Sequence, residues 1–196
     1  MSPPQKQNRV AELLGQMVAE GSWAGKTHIQ KTLYLFQMLF EEPADDGYRY
    51  ILYRHGPYSF ELDEDLAEME FVGMIRRIAR PPYGPQYQVE ATAMSEWMKR
   101  LALKPDPKGV ELAYAARTIS RRSVRELEAL ATIAYVESKL DSQSDQELKA
   151  SILYRVGELK PHLTGTELER AFQSWRELKL GARGISNLSR EAVVQP

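Results

Sequence analysis

The sequence predicts a mainly α fold that carries one small β-hairpin, or wing. In this prediction a winged-helix-like N-terminal half is followed by a C-terminal helical bundle. Two observations support it. Apolar residues recur at helical spacing over most of the chain, whereas between residues 48 and 91 they fall in short aromatic and β-branched runs separated by glycine and proline.

The first two helices are predicted from the spacing of apolar residues. Over residues 5–20 these residues fall at i, i+3, i+4, i+7 and i+8, and Gly21 follows where a helix usually ends. Residues 26–40 are apolar around most of the helix circumference. We therefore expect the second helix to lie at the centre of the core.

A strand and a third helix follow. Residues 48–54 are rich in tyrosine, and Gly56 with Pro57 is expected to end this strand. Ser59 is a good N-cap for a helix that closes at Gly73, because its side chain can accept a hydrogen bond from a backbone donor that lacks a helical partner.

Two further strands complete the N-terminal half. Residues 74–80 and 86–91 predict antiparallel strands, and the proline-rich stretch 81–85 predicts the turn at the wing tip. The resulting order is helix, helix, strand, helix, strand, turn and strand, which is the order of a winged helix.

The rest of the chain predicts a helical bundle, whose helix starts are indicated by capping boxes, in which Ser or Thr precedes Glu by three positions. The break at residues 104–107 predicts a boundary between a module 1–104 and a helical domain 105–180 that packs on it. The apolar period stops at Gly181, so residues 181–196 are expected to form a mobile tail. The boxes are Ser123 with Glu126, Ser144 with Glu147, and Thr164 with Glu167.

Composition excludes several classes of protein. The 196 residues contain no cysteine, which excludes a disulfide framework and thiolate chemistry. No apolar run approaches the roughly 18 residues that a membrane span needs, and the N-terminus lacks the apolar segment of a secretory signal. We therefore expect a soluble, cytoplasmic protein that does not enter a membrane.

The net charge of −1 hides an uneven distribution. Residues 59–72 carry six acids and no base, whereas residues 74–125 carry eleven bases and four acids. An acidic helix therefore lies directly before a basic stretch. Such an asymmetry bears on the choice of partner and on the rate of encounter more than on the fold.

The motifs for catalysis and cofactor binding are weak. Residues 21–27 resemble a P-loop, but a P-loop has four residues between its glycines where this chain has three, and it follows a strand rather than a helix. The three histidines lack the spacing of a helical metal site. His55 could act in acid–base chemistry if the fold placed an acid beside it. We expect neither a cofactor nor a metal, and an enzyme that uses His55 is the least favoured alternative.

Basic residues near the predicted wing suggest nucleic acid as an alternative ligand. Arginines beside an aromatic side chain in a wing suit contacts with phosphate and with the minor groove. The third helix of a winged helix normally enters the major groove, but in this chain its six acids would repel phosphate. Binding to DNA would therefore depend on the wing and the second helix, through Lys26, Lys31, Arg76, Arg77, Arg80 and Tyr83.

Two segments resemble the Panacea, or SocA-like, antitoxin domain. Residues 26–34, Lys-Thr-His-Ile-Gln-Lys-Thr-Leu-Tyr, resemble its Leu-Gln-Lys-Leu-x-Tyr helix. Residues 53–59, Tyr-Arg-His-Gly-Pro-Tyr-Ser, resemble its Tyr-Gly-Pro turn, with His55 where the aromatic residue usually stands. The resemblance covers residues 26–75, and it extends to about residue 180 in uncharacterised bacterial and archaeal relatives with a helical second half. It implies an antitoxin or regulator that contacts a toxin or an adaptor.

The charge pattern and the resemblance together predict a non-enzymatic regulatory or antitoxin-like protein that acts by contact with a protein partner. A winged-helix DNA-binding transcriptional regulator is the alternative. The oligomeric state stays open. The residues expected to bind the partner lie in the Gly-Pro-Tyr turn and on the acidic helix: His55, Pro57, Tyr58, Glu61, Asp65 and Glu68.

Overall fold

The computed structural model describes residues 1–40, 47–140 and 144–194. Within these ranges the chain is mainly helical with two small antiparallel sheets of two strands each, which confirms the predicted class of a mainly α fold with a small hairpin. The helices are α1 Pro3–Ala19, α2 Lys26–Phe40, α3 Phe60–Phe71, α4 Ala91–Arg100, α5 Gly109–Thr118, α6 Val124–Glu137, α7 Asp145–Leu159 and α8 Gly165–Val194, and the strands are β1 Ile51–Tyr53, β2 Gly56–Tyr58, β3 Ile75–Arg80 and β4 Tyr83–Val89.

Helix α2 lies at the centre of the core, as its apolar circumference predicts. Every residue from 28 to 36 is buried, and the helix packs against α5, α6 and α8 from the second half of the chain. Leu33 and Phe36 are fully enclosed. The burial of each such side chain contributes about 1.5–3 kcal/mol. Because α2 packs against helices of the second half, it joins the two halves into one core.

The tyrosine-rich segment continues into a hairpin of two strands. The prediction that Gly56 and Pro57 break the strand structure is wrong, because both residues lie in the second strand. The chain turns at Arg54 and His55 and returns as β2, which pairs with β1 so that Tyr53 lies opposite Gly56. Proline is tolerated in a strand at the edge of a sheet, where its missing N–H removes no ladder hydrogen bond. We call β1 and β2 the first hairpin.

The strands β3 and β4 form a second hairpin, which we call the wing. Its turn is shorter than the predicted stretch 81–85, because β4 already begins at Tyr83. The wing is fastened to the body near its base. The backbone N–H of Tyr87 donates to the carbonyl of Ala24, between α1 and α2, at 3.0 Å.

The break at residues 104–107 is held against α1. Arg9 Nε on α1 donates to Asp106 Oδ2 at 2.7 Å, and the two side chains are only 7% and 3% exposed. Helix α5, which follows the break, packs along α1. The helical half therefore continues the core of the N-terminal half.

Three predicted helix starts are confirmed, and one predicted end is not. The side chains of Ser123, Ser144 and Thr164 accept hydrogen bonds from the backbone N–H three residues later, at the starts of α6, α7 and α8. Helix α8 does not end at Gly181 but continues to Val194. A helix can grow without an apolar stripe, because each added residue brings its own backbone hydrogen bond.

None of the helices in the described part of the chain combines the length and the hydropathy that a membrane span requires.

Candidate functional site

A buried charge cluster holds the first hairpin against the helices. It consists of Lys31 on α2, Glu128 on α6 and Lys160 directly after α7, which are 2%, 6% and 3% exposed. Lys160 Nζ lies 2.8 Å from Glu128 Oε1 and donates to the carbonyl oxygen of Arg54 at 2.6 Å. Lys31 Nζ donates to the carbonyl oxygen of Pro57 at 2.6 Å. The two lysines thus bind both ends of the hairpin turn.

The cluster contains two cations and one carboxylate, and burial shifts their titration. Burial lowers the pKa of Lys31 to about 8, against the attraction of Glu128. Burial raises the pKa of Glu128, but the hydrogen bond and charge of Lys160, together with two nearby histidines, outweigh it and hold that pKa below its ordinary value. Glu128 is therefore ionised; it pairs directly with Lys160, and its charge also attracts Lys31.

His55 meets an acid in space, as the enzyme alternative required. Its Nδ1 lies 3.9 Å from Glu128 Oε1, and His162 Nε2 lies 3.5 Å from Oε2 of the same carboxylate. Both distances exceed the usual length of a hydrogen bond. Lys160 engages Glu128 at 2.8 Å, so this carboxylate contributes to the attachment of the hairpin.

An aromatic patch covers the outer surface of the first hairpin and the start of α3. The ring centroids of Tyr53, Tyr58 and Phe60 lie 5.2–5.9 Å apart. Ile51 lies opposite Tyr58 in the strand pairing and completes the patch. Ile51, Tyr53 and Phe60 are 51%, 47% and 52% exposed. A contiguous exposed group of this kind indicates an interaction surface more strongly than isolated apolar residues do.

The start of α3, which carries Phe60, is fixed from beneath. The side-chain amide of Gln30 on α2 donates from Nε2 to the carbonyl oxygen of Ser59 and accepts from the backbone N–H of Ser59, at 2.8 and 3.0 Å. Ser59 Oγ in turn accepts from the backbone N–H of Leu62, so Ser59 is the N-cap that the sequence predicts. Gln30 and Ser59 are both almost fully buried.

Most acids of α3 are engaged within the chain. Three of them, all predicted to bind a partner, hold α1 and Tyr48, which lies three residues before the start of β1. Their carboxylates therefore contribute to the packing of α3 before they contribute to any external contact. The pairs are Glu61 with Lys6 at 2.6 Å, Asp65 with the Tyr48 hydroxyl at 2.6 Å, and Glu68 with Gln7 Nε2 at 2.9 Å.

Two more acids of α3 pair with residues that were predicted to bind nucleic acid. Asp63 Oδ1 lies 2.5 Å from Lys26 Nζ, and Glu70 Oε1 lies 2.6 Å from Arg77 Nε. Burial raises the pKa of Asp63, but hydrogen bonds from Lys26 and from Tyr58 outweigh it and lower that pKa. Asp63 thus connects the start of α2 with the aromatic patch.

The wing arginines lie on two different faces. Arg77 and Tyr87 are partners in the strand pairing and share the inner face with Ile75, which is buried. Arg76 and Arg80 lie on the outer face, where they donate to glutamine side chains of β4 at 3.1 and 3.0 Å. Side chains alternate between the faces of a strand, so the arginines do not form one continuous basic surface.

The other residues predicted to contact nucleic acid also lie in separate places. Lys31 is buried in the charge cluster, and we therefore withdraw it as a phosphate contact. Lys26, Arg77 and Tyr83 line a cavity of about 680 Å³ between the wing, the start of α2 and the start of α6. We call it the wing cavity. The ring of Trp23 packs edge-on against Tyr83 there, with centroids 5.4 Å apart.

Sequence reasoning missed several residues of these sites. Glu128 and Lys160 lie far from the hairpin in the sequence. Their local sequence does not distinguish them from charged residues that face solvent. Tyr53 and Phe60 were counted as a strand residue and a helix residue. The density of aromatic residues between 48 and 60 is the one signal that could have identified the patch.

Comparison of the chain with models of protein families and with curated proteins found no match. The similarity of residues 26–75 to the Panacea antitoxin domain therefore stays a prediction. Among the residues that the structure describes, no group of three or more His, Asp or Glu side chains is placed to hold a metal ion.

Proposed function

We propose that the chain is a winged-helix-like, non-enzymatic binding protein of the antitoxin or regulator type, which contacts a protein partner through the aromatic patch. The observation that carries this proposal is the mutual contact of the rings of Tyr53, Tyr58 and Phe60, with Tyr53 and Phe60 exposed. Aromatic side chains dominate the energetics of protein interfaces. A partner that covers these rings would remove a large apolar area from water.

The support beneath the patch favours this function. Lys31 and Lys160 bind the carbonyl groups of the hairpin turn, and Gln30 binds the backbone on both sides of Ser59. A surface that is already ordered loses little conformational entropy when a partner binds. The exposed rings therefore form a preorganised platform.

The residues that were expected to bind the partner differ in their exposure and in their contacts. Tyr58 belongs to the aromatic patch, and His55 lies beside it at the exposed turn. Pro57 is buried and supports the turn. The acids Glu61 and Asp65 stabilise the fold through their partners within the chain, and an exposed acid of α3 such as Glu64 is better placed to attract a basic partner.

The experiment that tests the proposal is site-specific photo-crosslinking in the native host. A photoreactive phenylalanine replaces Phe60 in one variant and Phe71 in another. Phe71 is the matched control, because it lies at the other end of the same helix and is 91% exposed. We expect one discrete protein adduct at position 60, unchanged by nuclease, and none at position 71.

Two outcomes would contradict the proposal. The same adducts at both positions would show that crosslinking follows exposure alone. An adduct at position 60 that disappears on nuclease treatment would show that the contact depends on nucleic acid, as the DNA-binding alternative predicts. A purified partner can then be titrated against Phe60→Ala and Phe71→Ala, and only the first substitution should weaken binding.

A further inference from the structure

The wing cavity has the composition of a small-ligand site, and Asp63 links its Lys26 to Tyr58 of the aromatic patch. Its volume of about 680 Å³ falls within the range of roughly 300–1,000 Å³ that is typical of small-molecule sites. Aromatic and apolar residues form most of its wall, and the polar part of the wall comes from two cations together with Thr27 and His28. The residues that carry the argument are Trp23, Lys26, Arg77, Tyr83 and Tyr87.

The aromatic residues favour a planar ligand. Tyr83 is 70% exposed although it contacts Trp23, so much of its ring is available for stacking. Tyr87 is buried within the wing and forms a rigid part of the wall. An exposed tyrosine next to a tryptophan is a typical platform for a nucleobase, because every base offers a π-face.

The two cations favour a negatively charged group beside that plane. Arg77 uses Nε to bind Glu70, and a guanidinium has four further N–H donors with which it can bind phosphate oxygens. Lys26 is paired with Asp63, and its side chain is still 46% exposed. A phosphate would therefore share each cation with the carboxylate that already pairs with it, and it would bind on the exposed side of both pairs.

We propose that the wing cavity binds a nucleotide unit, with the base stacked on the exposed ring of Tyr83 and its edge against Trp23, and with the phosphate bound by Arg77 and Lys26. This unit is either a free nucleotide or an exposed nucleotide of a single strand. The site goes beyond the proposed protein contact and does not depend on it.

The mode of binding differs from that of a P-loop. The segment 21–27 links two helices, α1 and α2, and so lacks the strand that positions the backbone cradle of a P-loop. In the wing cavity the side chains of Trp23 and Lys26 from this segment do the binding together with the wing. The sequence similarity to a P-loop is therefore incidental.

The test measures fluorescence anisotropy of two probes against the full chain: methylanthraniloyl-AMP and a short fluorescein-labelled oligothymidine. The variants are Tyr83→Ala and Arg77→Gln. The matched control is Arg76→Gln, because Arg76 neighbours Arg77 in the sequence but lies on the outer face of the wing. Thermal melting verifies that each variant is folded.

We expect at least one probe to bind, and Tyr83→Ala and Arg77→Gln each to weaken it about fivefold or more, the smaller end of the effect of removing a stacking partner. Arg76→Gln should change affinity less than twofold. Binding of methylanthraniloyl-AMP supports a free nucleotide, and binding of the oligothymidine alone supports a strand. Equal losses for Arg76→Gln and Arg77→Gln, no effect of Tyr83→Ala, or no binding of either probe at millimolar protein would overturn the proposal.

Discussion

The two hairpins of the molecule have the same topology but are attached in different ways. The turn of the first hairpin is bound by buried lysines that are 26 and 106 residues away in sequence. The polar side chains of the wing bind partners 6 to 14 residues away, at the surface. The first hairpin is therefore anchored by buried charges, whereas the wing is attached by the backbone of Tyr87 and by the ring of Tyr83, and its ion pairs lie at the surface.

The difference has energetic consequences, because a charge contributes according to its burial. Exposed ion pairs contribute about 0–1 kcal/mol each. Removal of one partner from a buried pair costs far more, since the other charge is left in a medium of low polarity. Substitutions in the two hairpins should therefore separate by their effect on the free energy of unfolding.

The largest effect is expected for Glu128→Ala. This substitution leaves Lys31 and Lys160 buried without a carboxylate, which should lower the free energy of unfolding by about 3–5 kcal/mol. Glu90→Ala is the matched control in the wing, because Glu90 pairs with Arg76 at 2.7 Å but its side chain is 42% exposed. Urea unfolding measures both, and similar losses for the two variants would refute the comparison.

A second substitution shows whether the loss arises from buried charge. If Lys160 is replaced in the same chain, as in Glu128→Ala with Lys160→Met, one uncompensated cation is removed. The double variant should then be more stable than Glu128→Ala alone. A further loss of stability would instead mean that the hydrogen bond from Lys160 to the Arg54 carbonyl dominates.

Stability should rise with pH between about 8 and 10. Lys31 has an ordinary pKa of 10.5 that burial lowers to about 8, so in this window the unfolded chain binds a proton that the folded chain has released. The free energy of unfolding then increases with pH, by at most about 3 kcal/mol over two pH units. Above pH 10 the raised pKa values of buried Tyr34 and Tyr48 reverse the slope, because folded tyrosine keeps its proton.

Urea unfolding at pH 8, 9 and 10 checks this expectation, with Lys31→Met as the comparison. Methionine fills a similar volume without titrating, so the variant should show no rise between pH 8 and 10. A rise of equal size in both proteins would assign the proton to another group, and a flat profile in both would mean that Lys31 keeps its proton when folded.

Gly56→Ala should destabilise the first hairpin by about 1–2 kcal/mol, the usual cost of a left-handed conformation for a residue with a side chain. Gly56 has φ +87°, and an added Cβ would lie 3.0 Å from Thr132 Oγ1. Gly84→Ala in the wing is the matched control, because nothing lies within 4 Å of its added Cβ. It should be neutral or slightly stabilising in thermal unfolding. Equal effects would show that the first hairpin tolerates adjustment as readily as the wing.

The sequence predicts those parts of the fold that local pattern determines. Helix α2 and the cap at Ser59 follow from apolar spacing and from the geometry of helix starts. The return of the chain at Arg54 and His55 does not follow, because it depends on hydrogen bonds from Lys31 and Lys160, which no local pattern reveals.

The candidate sites were predictable to a smaller extent. The Gly-Pro-Tyr turn was identified, but the acids of α3 were expected to be free for a partner. Glu61 and Asp65 instead pair with residues of α1 and with Tyr48. Net charge along a segment reports how many charges it carries, whereas their availability depends on tertiary contacts. The division of Arg76 and Arg77 between two faces could be expected from strand alternation once the strand was known.

The smallest effect is expected for the pair of Arg76 and Glu90 on the outer face of the wing. A double-mutant cycle with Arg76→Ala and Glu90→Ala should give a coupling energy of about 0.2–1 kcal/mol. Both side chains are substantially exposed, at 59% and 42%, so the coupling should fall further when the salt concentration is raised. Urea unfolding of the four proteins at low and high salt measures it. A coupling above this range that persists in high salt would mean that the wing, like the first hairpin, is held by desolvated charge, and the contrast between the two hairpins would then rest on Gly56 and the close approach to α6 alone.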